Sequence, residues 1–368
     1  MRSLLAGLRV VELADDAGAY VGKLLGDAGA LVVRIEPKPE PYGWWSIDPS
    51  SSSGRFLHQP KQRLSLCLDS PSDLQRLRSL LDDADIVIES GHPTSLRSYG
   101  VNAEDEVQRR PAVIWARITP FGVDGPLSNW LGSDLVCAAA GGFLALAGYP
   151  DEAPTRAYGD QALRMAALHS AVGIAMALLE RDASGHGQLV DVSIQEAVAT
   201  ALENSLQFYD LEGTVRGRTG QGYAEAGSGV FTCQDGLVYL MVGRLSTKLG
   251  WQRLVTWMTE CHVRGAEQLL EDRWQNQDFR ATPEAEADFR LVFEDFASTH
   301  PAFDLYSECQ QRGIILCPIS TPDQLIHNEQ LSARNFFGSE GEVKHVGPPY
   351  QIWPRTIQPN SNEEGELT

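Results

Sequence analysis

In the run Tyr158-Gly159-Asp160-Gln161 a glycine-containing turn meets a long helical stretch, Leu163 to Arg181. A carboxylate at such a junction faces the positive end of the helix dipole, which favours its charge and fixes its direction. That group is a nucleophile of the kind that attacks an activated acyl carbon. A structural role competes with this one, because Asp is a preferred N-cap and caps without doing any chemistry. From these four residues alone, the cap is the stronger reading.

Other chemistry-bearing residues are sparse. Gly18 and Gly22 lie near the first strand-to-helix turn, and Glu36 ends the next strand, where a ribose-reading acid would sit. The spacing is Gly18-x-x-x-Gly22, however, not the G-x-G-x-x-G that admits a pyrophosphate, and Asp15 and Asp16 would repel one. This argues against a nicotinamide dinucleotide. The eight histidines form no HExxH and no metal-type pair, so no metal is expected. His169 reads as a packed or partly exposed helix residue, and His186 as a surface loop residue. Neither a G-x-S-x-G elbow nor a Walker-type phosphate loop is present.

The elements that position these residues alternate between strand and helix. Leu8 to Leu13 and Leu31 to Glu36 are strand-like, with a helical pattern from Ala17 to Ala28 between them. Further strands are read at Arg63–Asp69, Asp85–Glu89 and Ala112–Thr119, and a capped, proline-led helix starts at Ser70. Such alternation predicts a parallel sheet with helices on both faces. A helix is expected through Leu135–Ala147. The Asp160 helix ends at the glycine stop Gly185-His186-Gly187, and Leu189–Val192 and Glu196–Asp210 continue the pattern.

Glycines crowd the chain after Asp210, which reads as a linker and loop over 211–228. Asp235-Gly236 then predicts a hairpin of Gly229–Cys233 with Leu237–Val242. A charged helical region follows to about Gln311, then a β-prone run Ile314–Ile319 and a helix Asp323–Asn335. The last polar residues, from about Gln358, read as loose.

At 368 residues two domains are the expectation. The formal net charge of −19, with no basic patch, argues against nucleic acid. Cys67, Cys137, Cys233, Cys261, Cys309 and Cys317 form no CxxC pair and read as reduced, mostly buried thiols. The N-terminal apolar stretch is too short for a signal peptide, and no run is read as membrane-spanning. A soluble, cytoplasmic protein with no membrane partner is expected.

Taken together, these runs resemble the family III CoA-transferases, the group that includes formyl-CoA, carnitine and benzylsuccinate CoA-transferases and the 2-methylacyl-CoA racemases. The matching segments are LAGLRVVEL (Leu5–Leu13), GKLLGDAGALVVRIEP (Gly22–Pro37), RLSLCLD (Arg63–Asp69), ITPFGVDGP (Ile118–Pro126) and DLVCAAAGGFLALAGYPD (Asp134–Asp151). Gly159 to Val192, with Gly159-Asp160 followed by ALLERDASGHGQLVDV, matches as well, and LSARNFF near Phe337 does so more weakly. The segments cover essentially the whole chain in the family's order.

The resemblance makes Asp160 the nucleophile, which reverses the reading from the tetrapeptide. It implies attack on an acyl-CoA thioester to form a mixed anhydride, then an aspartyl-CoA thioester. It places CoA, as a substrate and not a tightly bound cofactor, near Asp16, Ala17, Gly18, Lys38, Lys61, Arg63 and Arg97. It also implies oxyanion donors in a glycine loop that here reads GYAEAGSG (Gly222–Gly229), with Gly227 and Gly229 as the candidates.

Three departures stand out. Glu89-Ser90-Gly91-His92 replaces the Asn-aromatic pair common after the fourth strand, and Arg97 is offset by one from the expected arginine. Gly132-Ser133-Asp134 stands where the racemase branch has a histidine between glycine and aspartate, and serine is no proton acceptor near neutrality. Transfer is therefore preferred to racemisation. A non-catalytic subunit of a heteromeric transferase is the third alternative. The fold implied is α/β: a large Rossmann-like domain (1–210 and 319–368) with a smaller α+β domain inserted (229–318), and two chains interlocked as linked rings in a homodimer. Tyr42, Trp44 and Trp45 suggest an aromatic-lined site, with packing as an equal explanation.

Overall fold

The computed structural model of the chain describes residues 4–38, 48–92, 96–202, 204–220, 225–243, 248–340 and 343–351. It divides into two compact units, one of Met1–Leu144, Arg156–Val215 and Asn335–Thr368, the other of Ala145–Thr155 and Arg216–Arg334.

In the first unit β1 (Arg9–Leu13), β2 (Leu31–Lys38), β3 (Gln62–Cys67), β4 (Ile86–Ser90), β5 (Ile114–Thr119) and β6 (Leu189–Ser193) form one sheet. Their order is β3-β2-β1-β4-β5-β6, with every pair parallel. The helices are α1 (Asp16–Asp27), α2 (Ser52–His58), α3 (Pro71–Asp82), α4 (Ala103–Arg109), α5 (Asp134–Ala140), α6 (Phe143–Leu146), α7 (Gln161–Ser184), α8 (Ile194–Thr200) and α9 (Ser205–Glu212).

Successive strand side chains point to opposite faces, and both faces are buried. Val10, Ile86, Ile88 and Ile114 pack against Ala17 and Val21 of α1 and Ala166 and Ile174 of α7. On the other face Val11, Val87 and Trp115 pack with Leu77 and Leu81 of α3. The chain runs outward from β1 to β3 and returns to β4, so the order reverses between β1 and β4. A crevice opens beyond the carboxyl ends of strands at such a switch point.

Helix α7 carries the cavity-lining Leu163 in its first turn and packs by small residues, which permit a close approach. A Cβ on Gly173 would lie 2.8 Å from Val190 Cγ1. The helix has 24 residues and is long and apolar enough to cross a bilayer by length and composition, which corrects the expectation that no such run exists. Here its inner face belongs to the sheet core, while Leu168, Val172, Met176 and Leu179 are exposed.

In the second unit β7 (Ser228–Thr232), β8 (Leu237–Met241) and β9 (Leu316–Pro318) form an antiparallel sheet. With it come α10 (Lys248–Glu260), α11 (Gln277–Arg280), α12 (Pro283–Ala297), α13 (Ala302–Arg312), α14 (Pro322–Ile326) and α15 (Glu329–Ala333). An aromatic core holds this unit together, with Trp251 stacked on Trp274 at 5.6 Å and Phe231 edge-on to Phe293 at 4.9 Å. Arg218 ties in the segment at 145–155 by donating to the carbonyls of Tyr149, Pro150 and Glu152. Beyond it, β10 (Phe337–Glu340) pairs with β11 (Val343–Val346).

The fold is thus the expected α/β sheet plus an α+β unit. The cysteines depart from expectation: Cys137, Cys233 and Cys309 are buried, but Cys67, Cys261 and Cys317 are exposed.

Candidate active site

A cavity of about 400 Å³ in the first unit opens at the switch point. Its walls are Asp15, Asp16 and Ala17 after β1, Gly91 and His92 after β4, Ile118 and Pro120 at the end of β5, and Ile194 after β6. Leu131 to Leu135, Arg156, Asp160 and Leu163 complete it. The lining mixes apolar side chains with the carboxylates of Asp15, Asp16, Asp134 and Asp160, and Arg156 lies beside the last two.

Asp160 occupies the N-cap position of α7, following Gly159 in the left-handed region at φ 76°. Its side chain nevertheless makes no cap hydrogen bond, which corrects the expectation that it caps this helix. Asp134 Oδ1 accepts from the N–H groups of Ala162 at 2.8 Å and Leu163 at 3.3 Å instead. The Asp160 carboxylate is partly exposed and pairs with Arg156 Nη2 at 3.2 Å. The same nitrogen lies 3.4 Å from the Gly159 carbonyl and 3.8 Å from Asp134 Oδ2. Burial raises the pKa of Asp134 above the usual carboxylate range, and the charge of Asp160 adds to this. The two helix N–H groups and Arg156 oppose that rise. Ser133 is the N-cap of α5, its hydroxyl accepting from Val136 N–H at 3.4 Å.

The turn after β1 has its own acceptors. Asp15 accepts from the Ala17 N–H at 3.0 Å. Ser90 Oγ accepts from the N–H groups of Asp15 at 3.0 Å and Gly18 at 3.1 Å, and its hydroxyl donates to Asp15 Oδ1. These bonds engage helix donors that a pyrophosphate would need. A Cβ on Gly18 would lie 2.6 Å from Ala14 Cβ, so that glycine serves packing. Ser90, in the segment that departs from the family pattern, thus joins β4 to α1. Beside it, Gly91 takes φ 102° and His92 Nε2 lies 3.0 Å from the Asn129 carbonyl.

Of the residues singled out for CoA, Asp16 and Ala17 share the cavity with Asp160. Gly18 lies one step along α1. Lys38 ends β2 exposed to solvent. Lys61 is buried: its Nζ lies 2.7 Å from Glu12 Oε2 and donates to the Ala19 carbonyl at 2.6 Å. Burial lowers its pKa, with the Glu12 charge opposing. Arg63 pairs with Glu36 at 2.5 Å, and Arg97 with Glu104 at 3.3 Å. Gly227 and Gly229 belong to the second unit, with φ 86° and 130° at the start of β7. Tyr42, Trp44, Trp45 and the part of the glycine loop at 221–224 lie outside the described residues.

Sequence reasoning missed Arg156 and the role of Asp134, and it marked His92 only as part of a segment that departs from the family pattern. Asp134 gave a signal as the acid that follows Ser133 in the motif compared with the racemase branch.

The profile of CoA-transferase family III matches residues 5–359. Over 359 residues the chain is 33% identical to the succinyl-CoA:(R)-benzylsuccinate CoA-transferase subunit BbsE of Thauera aromatica, spanning 94% of this chain and 87% of that protein. It is 27% identical over 345 residues to the succinate–glutarate CoA-transferase of Agrobacterium fabrum, spanning 90% and 83%. A solved CAIB/BAIF family protein from Brucella suis shares the fold, with a TM-score of 0.84 and 24% identity over 96% of this chain and 94% of that one.

Proposed function

From the premise that this chain belongs to CoA-transferase family III, we propose that it moves CoA from an acyl-CoA to a carboxylic acid through covalent chemistry at Asp160. One observation carries this reading. Asp160 presents a carboxylate to the switch-point cavity, and that carboxylate is not engaged in capping its own helix.

An Asp160 carboxylate oxygen attacks the thioester carbonyl carbon, the C–S bond breaks, and CoA leaves as thiolate. The thiolate then attacks the Asp160 acyl carbon of the mixed anhydride and expels the donor carboxylate, leaving aspartyl-CoA. The acceptor carboxylate displaces the thiolate from this thioester to give a second anhydride. Attack by the thiolate on the acceptor's acyl carbon releases its CoA ester and restores Asp160. No general base is required, because every nucleophile in the sequence is already an anion. Racemisation would need a proton acceptor where Ser133 stands, and that hydroxyl serves α5 as its cap.

CoA is a substrate in this scheme, and succinyl-CoA, the donor in the Thauera subunit's name, is the first to test. The homodimer belongs to the same proposal. In support, Leu168, Val172, Met176 and Leu179 recur at helical spacing on the outer face of α7 and are exposed in the single chain.

Incubation with succinyl-CoA and hydroxylamine should leave a hydroxamate at Asp160, found by peptide mass. Asp160→Asn should fold and lose transfer by on the order of 10³-fold or more. Near-native transfer by Asp160→Asn, with deamidation excluded by mass, overturns the assignment.

A further inference from the structure

An N-cap side chain takes the N–H of the second or third helical residue. In α7 these residues are Ala162 and Leu163, and the residue placed to serve them is Asp160. Both N–H groups go to Asp134 Oδ1, at 2.8 and 3.3 Å. Asp134 is 26 residues upstream of Asp160, its side chain only 10% exposed. It is the first residue of α5, whose N-cap is Ser133. Two carboxylates thus stand at one helix end, with Arg156 Nη2 3.2 Å from one and 3.8 Å from the other.

We propose that Asp134 is a positioning residue for the nucleophile: it occupies the N-terminus of α7 and so keeps the Asp160 carboxylate off its own helix and turned to the cavity. This rests on the reading of Asp160 given above. A carboxylate that accepts N–H groups from its own helix has lone pairs engaged and is drawn back from an incoming thioester. With Asp134 in place, the Asp160 carboxylate is ion-paired with Arg156 and faces the cavity. Without Asp134, two N–H groups are left two and three residues along the chain from the nucleophile, and rotation of the Asp160 side chain would satisfy them. The backbone would keep a cap, and the enzyme would lose a reactive carboxylate.

Two measurements test this. The first needs no substrate: thermal or urea unfolding of Asp134→Ala, Asp160→Ala and the double variant. Because either carboxylate can serve the helix end, the double variant should raise the unfolding constant about fivefold beyond the product of the two single effects, the factor typical of one lost cap. Multiplicative effects with no excess overturn the proposal.

The second is the rate of hydroxylamine-trapped acylation of Asp160 by succinyl-CoA. Asp134→Ala should slow it about tenfold or more while CoA affinity by calorimetry is held. Asp134→Asn, which keeps an acceptor oxygen, should recover most of the rate. A wild-type acylation rate in folded Asp134→Ala overturns the proposal, as does Asp134→Asn being as slow as the alanine variant. Should Asp134→Ala fail to fold, Asp134→Asn decides alone: a rate close to wild type supports the proposal and a tenfold loss overturns it. Activity in Asp160→Asn would instead remove the nucleophile reading, so the two failures are separable.

Discussion

Replacing Gly22 by alanine should destabilise the protein, although alanine is the better helix former. Gly22 lies inside α1, where Gly→Ala ordinarily stabilises by about 1 kcal/mol. Here the added Cβ would sit 1.8 Å from Glu12 Oε2 and 3.2 Å from Lys61 Cε. A carboxylate at the end of a side chain can often swing away. Glu12 cannot do so cheaply, since it is fully buried on β1 between Arg34 Nη1 at 2.5 Å and Lys61 Nζ at 2.7 Å. Displacing it leaves buried cations short of their counter-charge, a loss of about 3–5 kcal/mol when a buried pair is broken. The clash outweighs propensity by roughly 2–4 kcal/mol. At about 2–4 °C per kcal/mol for a unit of this size, the melting temperature should fall by roughly 5–15 °C. Differential scanning calorimetry reads this directly. In a Glu12→Ala background the same substitution should be neutral or stabilising, because the obstacle is gone. An unchanged or higher melting temperature for Gly22→Ala alone would refute the reasoning. Glu12 would then have room to move, and Lys61 could leave it for a ligand.

His58, buried beside Arg34 and Lys61, has its pKa pulled down to about 3, first by burial and then by those charges and Arg63. A depressed pKa gives stability that is complete above the unfolded value near 6.5 and is lost as pH falls toward 3. Urea unfolding from pH 7 to 5 should therefore weaken more steeply in wild type than in His58→Leu, by up to about 1.4 kcal/mol per pH unit; equal slopes would show that His58 charges freely in the folded state. Calorimetry should show CoA binding and no NAD binding, since the turn after β1 spends its N–H groups on Asp15 and Ser90; NAD binding without CoA binding would contradict this. Sedimentation should give a dimer that persists on dilution to nanomolar concentration, and a folded monomer would contradict linked rings.

Local rules recovered much of the first unit. Apolar alternation located β1 and β2, and the N-cap and proline located α3, which begins at Pro71 as read. The Asp-Gly turn gave β7 and β8 within one residue at each end. Failures came where one residue overrode a longer pattern. The helix expected over Leu135–Ala147 breaks into α5 and α6 at Gly141-Gly142, the latter at φ 89°. The helix expected over Asp323–Asn335 splits into α14 and α15, the second restarted by Asn328, which accepts from Leu331 N–H at 3.0 Å.

Cations were the least legible residues. Lysine and arginine read as surface groups or ligands by default, and nothing near Lys61 in the chain shows that Glu12 and Ala19 claim it across α1. The same limit explains Asp160. A cap search looks at the residue ahead of the helix, because a side chain ordinarily reaches only two or three residues along its own backbone. Asp134 reaches Ala162 from 28 residues upstream, which no spacing rule anticipates. The capping role was therefore credited to the neighbour in sequence, when the fold assigns it to a neighbour in space. The distinction has a consequence for stability. Asp160→Ala would cost about 1 kcal/mol if Asp160 were the cap. With Asp134 already on both N–H groups the cost through capping should be near zero, and the loss should fall on transfer alone.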